Sequence, residues 1–524
     1  MPSILKKMFS SLLVGAAILF TCPPVHAQAK LSIDKVYSTY LRNSGTIIKQ
    51  GQIKGYFFFY QSDKIDRSTN EYTLQILDEN LNKVKNIKFQ DSKKVNLLEA
   101  AYNGASLSFF FKNEDTKTLD MKIYDLDGAL LYTYSRPFDK RTDDLMKQYE
   151  TLHTDEGTNK NVFDLGEKGY ASVLPLRDGK IRTYEVDYYS SESKKQWTYE
   201  PSDDNEKYAF AEYLGSTDSL IILEVMKKNS AMSSNISAHL VGINFVTKKK
   251  QFDIDNSNDK YTFYPASVAP VEGTNKTLVM GTYYDKNAKI EKDASLGIAL
   301  YEVESSGKVV TRAYNSWGME MAKYLPTNSK GKIDDVGFLY IHKMVRTADG
   351  KLFVVGEGYK RQASAGGIAL AVLSRGRDNF GVTKIVITDM VLMEFNDKYK
   401  VVNAKIYDKT DNNANVGALS DYNSQHALAA LLKAMGAFDY EFTTTAPDNS
   451  SFTVCYSDWV RTSEYKGKTF NSIRYDGSKF STDKIELKSK ASIMQVFPAK
   501  AGSVMILEYF KKDKRIDFRL EKLG

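Results

Sequence analysis

Gly55-Tyr56-Phe57-Phe58-Phe59-Tyr60 is a turn residue followed by five consecutive aromatic side chains. A short, nearly continuous apolar run behind a turn reads as a strand buried on both faces. The unit recurs along the chain. Gly104 precedes Leu107-Ser108-Phe109-Phe110-Phe111, Gly169 precedes Tyr170 to Leu174, Asp218 precedes Leu220 to Leu223, and Asn275 precedes Leu278-Val279-Met280. Gly350 then leads into Leu352 to Val355, Asn449 into Phe452 to Tyr456, and Gly502 into Val504 to Leu507. That makes eight copies, whose turn residues are 49, 65, 49, 57, 75, 99 and 53 positions apart. The shortest spacing is about one four-stranded propeller blade, and the excess is loop insertion.

A second element follows several copies. Leu74-Gln75-Ile76-Leu77 runs into Asp78-Glu79-Asn80, Met121 to Tyr124 into Asp125-Leu126-Asp127-Gly128, Ile298 to Tyr301 into Ser305-Ser306-Gly307-Lys308, and Ile473-Arg474-Tyr475 into Asp476-Gly477. Such turns supply residues that tolerate positive φ, so the unit is a meander of hairpins. The expected fold is all-β: a single closed β-propeller of seven or eight four-stranded blades, eight favoured, spanning residues 28–524. The last copy offers only three strands, at Ile493 to Phe497, Val504 to Phe510 and Ile516 to Leu520. A segment near Ile33 to Tyr40 is expected to pair with them and close the ring, because an open edge invites aggregation. Helices are few and short. Ser424 is placed to cap one over Ala427 to Met435, ending at Gly436, and Thr142 to cap another over Asp143 to Leu152. Insertions fall at about 315–337 and 408–440.

Residues 1–27 read as a signal peptide. Lys6 and Lys7 precede the apolar Leu12 to Phe20, and Val25-His26-Ala27 forms the small-residue exit. The expected location is therefore periplasmic or extracellular. Lipidation at Cys22, giving an outer-membrane lipoprotein, is the alternative, and Thr21 in place of a small residue counts against it. No later stretch is long and apolar enough for a transmembrane segment. Of 524 residues, 42% are hydrophobic, 26% charged and 12% aromatic, which is a folded globular composition. Outside the leader only Cys455 remains, which excludes a disulfide framework within one copy. The net charge of +7 is mild for this length, and Lys248-Lys249-Lys250 and Lys511-Lys512 border apolar strands, so nucleic acid is not an expected partner.

Motifs that carry chemistry are scarce. The four histidines beyond the leader, His153, His239, His342 and His426, are isolated from one another along the chain. Asp253 to Asp259 alternates oxygen side chains but lacks the glycine of a calcium loop, and Tyr264 stands where the closing glutamate belongs. Gly356-Glu357-Gly358 lacks the third glycine and the helix of a dinucleotide fingerprint. No cofactor and no metal site is assigned, and catalytic residues stay unassigned. Aromatic side chains on loops are the better candidates for a binding surface. Trp317, in the irregular stretch Asn315 to Gly337, and Trp459, at a strand exit, are chosen over Trp197 and the doublets Tyr188-Tyr189 and Tyr283-Tyr284.

With its export signal, its lysine- and tyrosine-rich chain and turns such as Tyr124-Asp125-Leu126-Asp127-Gly128, the sequence resembles the uncharacterised secreted β-propeller-like proteins of Bacteroidota. That resemblance implies export and no particular activity. The leading expectation is an exported β-propeller that recognises a protein, peptide or glycan through loops on one face. The alternative is a propeller-fold hydrolase or lyase acting on a polysaccharide or peptide. Converging carboxylates and histidine at the ring mouth favour the enzyme, and an exposed Trp317 or Trp459 favours binding. Ligand identity and oligomeric state are left open.

Overall fold

A computed structural model describes residues 29–49, 51–152, 160–202, 206–230, 233, 235–290, 292–363, 383–414, 416, 424–500 and 502–523. The signal segment with Cys22, and His153, lie outside them. The strands form eight antiparallel sheets, each built on four strands and two of them, blades 1 and 6, carrying a short extra strand (Gly45–Lys49 and Asn412–Ala414), arranged as the blades of a β-propeller. Blades 1 to 7 cover 38–92, 95–137, 162–199, 209–255, 261–316, 338–407 and 440–486. Blade 8 joins 493–522 to Lys30–Asp34.

The eight apolar runs are the second strand of each blade, counted from the innermost. Period-2 geometry explains why they are apolar throughout. In Gln52–Lys64, Phe57 and Phe59 face blade 2, packing with Leu107, Phe109 and Phe111. Tyr56, Phe58 and Tyr60 face blade 8, packing with Met505, Leu507 and Phe518. Both faces of the strand are therefore core, at about 1.5–3 kcal/mol for each large side chain withdrawn from water. Eight such wedges, each shared by two adjacent blades, circle the ring.

Closure differs in register from expectation. Lys30–Asp34 pairs with Arg515–Lys522, with Ile33 opposite Ile516. Lys35 then takes a positive φ of 61° and turns the chain into blade 1, where Ser38–Thr39 pairs with Tyr60 and Gln61. The turn at Lys35 thus divides the Ile33 to Tyr40 segment between two blades.

Because successive strands are antiparallel, connections alternate between the two ends of the ring. Those at one end, joining first to second and third to fourth strands, are all two to six residues long. The longer connections leave from strand ends at the other end, including 138–161, 286–296, 317–337 and 408–439. We call this the elaborated face.

Helix α1 (Lys140–Leu152) lies in the first of these connections. It begins earlier than expected and Thr142 is not its cap: the Asp139 carboxylate accepts from the Thr142 backbone N–H at 2.8 Å. Helix α2 (Gln425–Ala434) lies in the last, and Ser424 does cap it, its hydroxyl accepting from Ala427 N at 3.1 Å. No helix among the described residues is long and apolar enough to cross a membrane.

Candidate functional site

Helix α2 is sited by its own sequence. Leu428 and Leu432, one turn apart, are buried against Tyr359, Ile385 and Ile387 of blade 6, with Phe338, Tyr340 and Phe438 around them. Gly436, at φ 62°, ends the helix, and the Tyr359 hydroxyl donates to the Gln425 carbonyl at 2.9 Å. From that seat the helix reaches two further blades. Lys433 Nζ lies 2.7 Å from Glu212 Oε1 on the innermost strand of blade 4 (Ala209–Ser216), and the His426 ring is 5.8 Å from Tyr264 on the innermost strand of blade 5 (Tyr261–Pro270). One short helix therefore touches the channel-lining strands of three blades on the elaborated face.

Beneath it sits a pair of acids. Glu212 faces Glu224 directly across the antiparallel pair of Ala209–Ser216 and Leu220–Lys228. Glu224 is only 4% exposed, and among the described residues its Oε1 has no hydrogen-bond partner. Burial, with the nearby Glu212 charge, pushes its carboxyl well above the usual carboxylate range against the opposing pull of Lys433. Burial also pushes the Tyr284 hydroxyl up to about 12, helped by Glu224. The His426 imidazole is pushed down by burial, with Glu212 opposing. The site thus joins a buried acid whose ionisation is opposed, a carboxylate already paired with an ammonium, and several phenols.

A second polar cluster lies at the junction of blades 6 and 7. Glu357 is fully buried and accepts from the backbone N–H groups of Asp439 at 3.0 Å and Tyr440 at 3.1 Å, where the chain enters blade 7. His342 Nε2 is 3.0 Å from the same carboxylate, Lys409 Nζ is 3.5 Å from it and 2.5 Å from Asp439, and Asn412 donates to Asp439 at 2.9 Å. Burial opposes ionisation of Glu357, but the His342 bond and the Lys409 charge outweigh it and hold the carboxyl below its usual range. Asp439 is pushed up to about 6 by burial, against Lys409. His342 itself is clamped, stacked on Tyr440 with ring centroids 4.4 Å apart. Glycine is required beside Glu357, since a Cβ on Gly358 would stand 2.2 Å from Thr388 Oγ1. Blades 2 and 3 repeat the device: the Glu99 carboxylate accepts from Asn161 N at 2.8 Å and Val162 N at 2.7 Å. These sealed carboxylates fasten blade to blade.

The two chosen tryptophans part company. Trp317 is 4% exposed, packs among Met280, Met321 and Ile333, and donates its indole N–H to Ser295 at 3.0 Å, so it has no open face for a ligand. It anchors the 317–337 connection instead. Trp459 is 50% exposed near the end of the second strand of blade 7 (Phe452–Arg461), the end that opens on the elaborated face. Of the other aromatics, Tyr188 stacks between Trp197 and Phe245, while Tyr189, Tyr283 and Tyr284 are buried. Cys455 is buried among apolar side chains. Asp253 is no free loop ligand; it lies in a strand and pairs with Lys227 at 2.6 Å and His239 at 2.7 Å. Among the described residues no three His, Cys, Asp or Glu side chains are placed to share a metal ion. Reading the sequence alone missed Glu212, Glu224, Glu357 and Lys433, which carry no local motif.

No curated protein sequence matches the chain. Solved structures with similar folds include a eukaryotic initiation factor (10% identity, TM-score 0.36, covering 92% of this chain and 88% of that one). A prolyl endopeptidase gives 10% identity and a TM-score of 0.39, with 97% of this chain aligned to 60% of that one. The WD40 domain of SCAP from fission yeast gives 8% identity and a TM-score of 0.35, with 95% and 96% covered. Residues 6–524 match the family of unknown function DUF6770, and the chain belongs to that family.

Proposed function

We propose that this member of the family is an exported β-propeller that binds a protein, peptide or glycan through the connections of its elaborated face. One observation carries the reading: all connections longer than six residues gather at one end of the ring, while the other end has only tight turns. Chain length that exceeds what strand geometry needs, held on a rigid ring, is where recognition usually resides. Trp459 supports it, being a large aromatic side chain half exposed on that face. Binding is favoured over hydrolysis because Glu224, across the strand pair from Glu212, is buried, so no two exposed carboxylates stand together there to meet a substrate.

The test is capture of ligands from the native envelope, a glycan array run in parallel, and affinities of whatever is retained for two variants. Trp459→Ala should weaken binding by about tenfold or more, as loss of an aromatic anchor does. Val246→Ala, an exposed apolar residue in a tight turn at the opposite end, should leave it unchanged. Equal affinity of Trp459→Ala and the wild type, or weakening only by Val246→Ala, refutes the assignment of the face.

A further inference from the structure

Resting on that binding role, we infer that the Glu212–Glu224 pair under helix α2 is a recognition site for an organic ammonium group, such as a lysine side chain of a peptide ligand, and that Lys433 occupies it as a tethered stand-in. An ammonium already sits there, 2.7 Å from Glu212 Oε1 and hydrogen-bonded with the Tyr340 hydroxyl. The site also holds a polar atom its occupant does not use: Glu224 Oε1, across the strand pair from Glu212, is buried and among the described residues has no hydrogen-bond partner. It is also reachable: the Lys433 and Glu212 side chains are 35% and 42% exposed, so a ligand can approach without parting two blades. An apolar rim suits the aliphatic stem of such a ligand. Phe210, two residues before Glu212 and on the same face of its strand, is exposed, as is Met435 at the end of α2. Opposite these carboxyls and rings stand the charged or titratable groups Lys433, His426, Tyr264, Tyr284 and Tyr340.

A tethered competitor lowers the apparent affinity of a free ligand by its effective concentration, so removing it exposes the site. The probe is fluorescently labelled hexalysine, read by anisotropy at low and physiological salt, on the full-length protein. Lys433→Met, which keeps the stem and deletes the charge, should bind hexalysine about tenfold more tightly than the wild type. Adding Glu212→Gln to that variant should reverse the gain. The formal net charge of +7 repels a polycation overall, so saturable binding must come from a local acidic site. The wild type provides a check independent of how the variant folds: weak saturable binding at millimolar peptide, lost in Glu212→Gln. Hexalysine affinity unchanged by Lys433→Met, or insensitive to Glu212→Gln, overturns the assignment, as does tight calcium binding by Lys433→Met that hexalysine cannot displace. If hexalysine fails while Trp459→Ala still weakens the captured ligand, only the ammonium site falls and the binding face stands.

Discussion

Replacing Glu357 by glutamine should cost far more than its near-identity of shape suggests. One oxygen of the carboxylate serves the Asp439 N–H and Lys409, and the other serves the Tyr440 N–H and His342. Whichever way the new amide turns, its NH2 confronts one of these two backbone N–H groups and cannot accept from it, at about 1–3 kcal/mol for a buried donor left unsatisfied. Lys409, whose side chain is fully buried, also loses one of its two carboxylates and keeps only Asp439. Breaking one partner of a buried charge cluster costs about 3–5 kcal/mol in total. The assay is urea unfolding followed by tryptophan fluorescence and circular dichroism. Lys88→Ala, which removes an exposed partner of Glu71, serves as the surface control and should cost about 1 kcal/mol or less. If Glu357→Gln lowers stability no more than Lys88→Ala does, Glu357 is not the fastener between blades 6 and 7, and the equivalent reading of Glu99 falls with it.

Phe58→Ala probes ring closure: Phe58 is 4.6 Å from Phe518 and 5.9 Å from Phe497 across the seam of blades 1 and 8. It should cost about 3–5 kcal/mol in urea unfolding, and a loss below about 1 kcal/mol would mean the seam is not packed. Glu224→Gln tests the buried acid. Because the folded carboxyl is raised, the wild type has its full stability below the unfolded value near 4.5 and loses it as pH rises through the folded value. The variant should therefore match the wild type at pH 4.5 and exceed it at pH 8. His426 and Lys433 are present in both proteins, so a difference independent of pH contradicts a carboxyl raised by burial at Glu224.

What the sequence made legible was what touches two neighbours at once. Tyr56, Phe57, Phe58, Phe59 and Tyr60 alternate between the wedges toward blades 8 and 2, so all five are apolar and the repeat shows through without any motif. The innermost strands lacked that signal. Val95–Tyr102 has one face toward the channel and a bulge between Leu97 and Glu99 that breaks its alternation, so its burial pattern follows no simple period. Helix α2 could be read from Ser424, the Leu428 and Leu432 stripe and Gly436, since caps and stripes are local.

The candidate site lay out of reach of such reading because its pairs are distant along the chain. Lys433 and Glu212 are 221 residues apart, and only the closing of a ring brings a helix after blade 6 over the inner strand of blade 4. The same topology divides Trp317 from Trp459. Both sit in connections or strand ends on the elaborated face, yet the 317–337 connection folds back on its own indole whereas the strand carrying Trp459 ends in the short turn 462–465. Trp317 is thereby consumed in packing its own connection down, whereas Trp459 is left half exposed. On that logic a ligand of this face is expected to meet the short turn of blade 7 before it meets the 317–337 connection, which is why Trp459 and not Trp317 is the residue to change.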